Sequence, residues 1–197
     1  MRISLVVLLY MCFITNALAE YKLGPKRQFE TESYGFFAQE LFIDGHSEGF
    51  VSADFAPAKF SKDYLVYQSC HLDKQTREPD GCMDWVIHDF TKKESSILKL
   101  PGFNPFFSTP SFRWPYVAYV SVPKDLNSRA VSCVIVKWPE KIVFANSSIQ
   151  LEKNFLATDF PGVFLPPTFQ QGKEKMEVNC LVDDNHTAKS ISTITFP

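Results

Sequence analysis

The chain has 197 residues, 45% hydrophobic and 15% aromatic, with 20 basic and 22 acidic side chains and a formal net charge of −2. That apolar content excludes disorder, which requires few hydrophobic and aromatic residues. The lysines are scattered, as in Pro25-Lys26-Arg27, Thr91-Lys92-Lys93 and Gly172-Lys173-Glu174-Lys175, and make no basic stripe for nucleic acid.

Residues 1–19 (MRISLVVLLYMCFITNALA) carry one positive charge, then an apolar run from Ile3 to Ile14, then Ala17-Leu18-Ala19. This is the pattern of a secretory signal peptide cleaved before Glu20. The run is shorter than the roughly 20 residues a membrane-spanning helix needs, and none of that length follows, so no transmembrane anchor is expected after processing. Removing the first 19 of 197 residues takes away only Arg2 among charged side chains, leaving 178 residues and a net charge of −3. A chain of that size defaults to a single domain with its own core. The segment 31–43 (TESYGFFAQELFI) reads ambiguously: Ala38-Gln39-Glu40-Leu41 tolerates a helix, whereas Gly35 and Phe36-Phe37 suit a bulged strand.

Cys70, Cys82, Cys133 and Cys180 remain after processing. An even number in an exported chain points to disulfides in an oxidising compartment, with three possible pairings. The favoured pairing is Cys70 with Cys82, at the base of a long turn between two strands, leaving Cys133 with Cys180. A loop as short as the first contributes on the order of 3 kcal/mol in the chain-entropy model. Zinc is the competing reading, but no pair has C-x-x-C spacing.

A repeat organises the rest. Residues 55–70 (FAPAKFSKDYLVYQSC) superpose on 107–122 (FSTPSFRWPYVAYVSV), matching Phe60 with Phe112, Tyr64 with Tyr116 and Tyr67 with Tyr119 at an offset of 52. A weaker third copy begins at 164 (FLPPTFQQGKEKMEVNC). Residues 84–100 and 132–149 also correspond: each reads as an apolar strand ending in an aromatic, Phe90 or Trp138, then a short polar turn and another strand. About four short strands in a period near 50 favour propeller blades. The units are expected near 55–106, 107–163 and 164–197.

These stretches resemble the TolB-like (PD40, WD40-like) class of β-propeller repeats in degenerate form. Phe60-Ser61-Lys62-Asp63 matches the turn ahead of the first strand, and Asp89-Phe90-Thr91-Lys92-Lys93 matches the hairpin after the second. Copy two replaces the Asp-Gly of the first turn with Arg113-Trp114-Pro115, and copy three keeps only Gln171-Gly172. The resemblance implies an all-β, small or incomplete propeller. Three outcomes stay open: a four-bladed ring with its first blade at 29–54, an incomplete propeller finished by a partner or second copy, or an irregular β-sandwich. An oligomer is admitted if the propeller is incomplete.

Catalytic motifs are missing from the sequence: no G-x-S-x-G, H-E-x-x-H, phosphate loop or EF-hand loop occurs. No cofactor is expected. Asp183, Asp184 and His186 are weak metal candidates, as are Asp44, His46 and Glu48, each set reading more simply as a polar turn. Asn146-Ser147-Ser148 and Asn185-His186-Thr187 are glycosylation acceptors only in a eukaryotic secretory pathway; the Ala-Leu-Ala site leans toward a bacterial periplasm. Contact is expected from the proline-punctuated aromatic run, with Phe103, Phe106, Phe107, Trp114 and Tyr116 as candidate protein- or sugar-binding rings. The expected function is a non-catalytic exported module, periplasmic or extracellular, that binds another protein such as an envelope component or an enzyme it restrains. The alternatives are an extracytoplasmic hydrolase and a carbohydrate-binding module.

Overall fold

The computed structural model describes residues 20–31, 34–122, 130–150, 164–172, 175–184 and 187–196, without the side chains of 183, 184 and 187–189. The expected signal peptide lies outside these residues. Every regular element among them is a β-strand, and the strands pair with one another antiparallel, with one isolated parallel bridge between Ser108 and Phe164.

The strands fall into four successive groups. The first holds β1 (Tyr21–Leu23), β2 (Arg27–Glu30), β3 (Gly35–Ile43) and β4 (His46–Ser52). Segment 35–43 is therefore strand, not helix, with a register shift after Leu41. Asp44 and Gly45 turn β3 into β4 with φ of 49° and 83°, the conformation that makes Asp-Gly a two-residue hairpin signal. The second group is β5 (Ala58–Lys59), β6 (Tyr64–Leu72), β7 (Pro79–Asp89) and β8 (Glu94–Ile97). It joins the first edge to edge at one pair, Val51 with Ser69. The third is β9 (Ser111–Arg113), β10 (Tyr116–Ser121), β11 (Ala130–Lys137) and β12 (Ile142–Gln150), and the last is β13 (Phe164–Gln171), β14 (Met176–Asp184) and β15 (Thr187–Phe196).

The second and third groups are built on one register. Tyr64 pairs with Asp89 and Tyr67 with Val86; fifty-two residues on, Tyr116 pairs with Lys137 and Tyr119 with Val134. The hairpins that follow place Lys93 and Lys141 at the same left-handed position, each with φ of 56°. The all-β reading with repeats near 50 residues thus stands.

Packing shows how the repeat is used. Leu65 and Tyr67 point to the first group, beside Leu41, Ile43 and Val51. Between them Val66 points the other way, to the third group. Val117 and Tyr119 turn toward the second group, against Phe60, Val66, Trp85 and Ile87, while Ala118 and Val120 turn toward the last, against Phe164, Val178, Cys180 and Ile194. Corresponding residues therefore face the preceding group each time, a head-to-tail arrangement consistent with an incomplete propeller or with an irregular sandwich of stacked sheets. Sheets covered on both sides need apolar residues at consecutive positions, which is why YLVYQ and YVAYV are buried almost without interruption. Each such side chain contributes about 1.5–3 kcal/mol when fully buried.

The stack is open. The core clusters join first to second, second to third and third to last, and none among the described residues joins last to first. On β14 and β15 the face turned from the core carries Glu177, Asn179, Thr193 and Thr195, and the Thr193 Oγ1 donates to Asn179 Oδ1 at 2.6 Å. A polar outer face suits the terminal unit of a repeat stack.

Both expected disulfides form. Cys70–Cys82 links β6 to β7 within the second group, and Cys133–Cys180 joins β11 to β14 across the core of the last two sheets. They fit an oxidising, extracytoplasmic setting.

Candidate functional site

Chemistry-bearing side chains gather at two places. At the turn end of the third group, β9 and β10 are joined by Trp114-Pro115, and the Trp138 N–H donates to Pro115 O at 2.7 Å, which sets the β11–β12 turn beside it. Rings then run along the seam with the second group. Trp114 stacks on Tyr64 with centroids 5.6 Å apart and meets the Phe60 edge at 5.3 Å, and Tyr64 meets Trp138 at 6.0 Å. Trp138 is buried under Lys141, whose Nζ lies 5.1 Å from the ring centroid, within cation–π reach. On the other side of the sheet Tyr116 packs against Phe144 at 5.1 Å and Phe196 at 5.0 Å.

These contacts leave an apolar rim. Trp114 is 44% exposed, Ile142 63%, Val143 42% and Phe144 43%. A shallow cleft of about 220 Å³ opens beside it, bounded by Tyr64, Asp89, Lys92, Glu94, Trp138 and Lys141.

The five rings expected as one patch occupy two places. Phe103 is half-buried against Tyr119, with centroids 5.3 Å apart, and Phe106, 47% exposed, meets the half-buried Phe107 at 5.1 Å. That loop is held to the far end of β10: Ser121 Oγ donates to Gly102 O, and Val120 N to Ser108 Oγ. Trp114 and Tyr116 stand at the start of β10, about 16 Å away at 3.3 Å per residue.

The second place is a polar network between the first two groups. Ser95 Oγ donates to Glu48 Oε2 at 2.7 Å, His88 Nδ1 lies 2.9 Å from Ser95 Oγ, and the Tyr67 hydroxyl lies 3.2 Å from Ser95 Oγ and 3.4 Å from Glu48 Oε2. A carboxylate only accepts and a serine has one proton. The assignment that satisfies every group gives the Ser95 proton to Glu48, makes the His88 Nδ1–H a donor to Ser95, and has Tyr67 donate. Burial, opposed by the Ser95 hydrogen bond and aided by the Glu48 charge, pushes the Tyr67 hydroxyl up to about 12. Burial likewise raises Tyr119, whose hydroxyl donates to Pro101 O. Glu48 sits 47 residues from Ser95, with no local motif to announce the pairing.

The other weak candidates separate. Asp44 and His46 are exposed at the β3–β4 turn while Glu48 turns toward Ser95. The side chains of Asp183, Asp184 and His186 lie outside the described residues. Among the described residues no three His, Cys, Asp or Glu side chains are grouped to hold a metal ion, and no helix is long and apolar enough to cross a membrane. Asp89 is partly buried, which raises its carboxyl, but hydrogen bonds from the Thr91 hydroxyl and from the Lys92 and Thr91 N–H groups outweigh that and lower it, as a turn-capping aspartate requires. No family model, curated protein or solved structure matches this chain.

Proposed function

We propose that the chain is an exported, non-catalytic, propeller-like module that binds another protein through the rim formed by Trp114, Ile142 and Phe144. The supporting observation is their joint exposure beside the half-buried Tyr64 and Tyr116. Aromatic and aliphatic side chains clustered on a rigid turn bury large areas at little entropic cost and mark protein contacts more often than chance exposure does. The TolB-like resemblance agrees with such a role, since a β scaffold of that kind presents its turns as a recognition surface. A photo-crosslinking residue at Ile142, in cells that make the protein, is expected to capture a discrete partner that the same residue at Thr193, on the polar terminal face, does not. Identical products from both positions would contradict the proposal.

A second reading, an extracytoplasmic hydrolase, has one observation behind it: Ser95 touches both a carboxylate and an imidazole. A serine beside a base is the arrangement of an activated nucleophile. Labelling of Ser95 by a fluorophosphonate in the folded protein, and not after denaturation, would favour it. The network equally joins β4 to β6, β7 and β8 as a structural tie.

A further inference from the structure

We infer that β12 is the contact by which two copies of this chain pair, antiparallel about a two-fold axis through Asn146. The inference goes beyond the proposed partner site, because it concerns the main-chain edge of the third sheet.

β12 is the terminal strand of its sheet, hydrogen-bonded on one side to β11 and on the other to no described strand. An edge of this kind is ordinarily protected by brevity, charge or proline. The other sheet ends follow that rule: β8 and β9 have 4 and 3 residues, β13 contains Pro166 and Pro167, and β15 contains Lys189. β12 has 9 residues, IVFANSSIQ, with no charge, proline or glycine. It also exposes Ile142, Val143 and Phe144. Left open, it is a template for another strand.

The occupant follows from the strand's own sequence. Laid antiparallel against itself about Asn146, it sets Val143 opposite Ile149, Phe144 opposite Ser148, Ala145 opposite Ser147, and Asn146 opposite its own copy. No like charges meet, and Asn146, which is exposed, meets a side chain able both to donate and to accept. An isologous contact requires this self-complementarity, and main-chain hydrogen bonds would extend two four-stranded sheets into one of eight. A glycan on Asn146 would occupy the axis and prevent it.

The test is sedimentation equilibrium on the processed chain, made in a host without N-glycosylation. The wild type is expected to dimerise at micromolar concentration. Asn146→Lys and Asn146→Asp place like charges opposite each other only in the dimer, so each is expected to weaken self-association by up to about fivefold while keeping the wild-type circular dichroism. Mixing the two variants is expected to restore pairing, since the charges are then opposite. A wild type that stays monomeric at high micromolar concentration, or variants that dimerise as it does, would overturn the inference. A monomer whose Asn146 crosslinks to a different protein would assign the edge to a partner's strand and overturn it too. Because crosslinking at Ile142 separates self-products from foreign products by mass, loss of the dimer and loss of the proposed partner are told apart.

Discussion

Replacing Cys133 and Cys180 together by alanine is expected to lower the unfolding free energy by roughly 4 kcal/mol, the chain-entropy value for a loop of their separation. The bridge closes 47 residues and ties the third sheet to the last, and both cysteines are fully buried. The small void left by two missing sulfurs adds to the loss. Removing Cys70 and Cys82 instead opens a loop of only 12 residues inside one hairpin, for which the same relation gives roughly 3 kcal/mol. Denaturant unfolding without reductant should therefore rank the first double variant below the second. The reverse order would mean that the last sheet does not depend on its covalent tie.

Tyr67→Ala and Tyr119→Ala are each expected to cost about 3–5 kcal/mol, the range for deleting a buried aromatic ring. Tyr67 is 2% exposed and Tyr119 0%, at corresponding register positions but in different core clusters. Their effects should add within about 0.5 kcal/mol, because they share no packing partner. The same residues set the alkaline limit. Folding raises both hydroxyls above the ordinary value of about 10, so the folded chain keeps two protons that the unfolded chain releases. Their stabilisation is fully present below about pH 10 and is lost as pH rises from there through about 12, where the folded Tyr67 titrates. Tyr67→Phe should remove one proton from that dependence, and an unchanged slope between pH 10 and 12 would contradict the assignment.

The parts of the fold legible in the sequence were those that repeated physics imposes. A sheet covered on both faces needs unbroken apolar runs, so Tyr64 to Tyr67 and Tyr116 to Tyr119 declare themselves as equivalent strands. The long turn from Cys70 to Cys82 declared its staple for the same local reason. What stayed hidden depends on neighbours. Ile142-Val143-Phe144 reads as a buried strand by composition, yet it is largely exposed because β12 is an edge strand, paired on its outer side with no described strand, even though Phe144 meets Phe196 of β15. The rings between Phe103 and Tyr116 are close in sequence, but β10 puts them at opposite ends. Glu48, His88 and Ser95 meet only because β4, β7 and β8 align across one sheet.

Spin labels attached by non-cysteine chemistry at Lys22 on β1 and Thr195 on β15 would measure whether the first and last sheets are apart. An open stack puts two sheet-to-sheet steps of roughly 10 Å between those strands, and β1 lies about three strand spacings of roughly 4.8 Å from β6 within the eight-stranded sheet, giving a separation of about 25 Å. A closed ring would bring them side by side, below about 20 Å with the label arms included, and would refute the open architecture that leaves the third group's rim and edge uncovered.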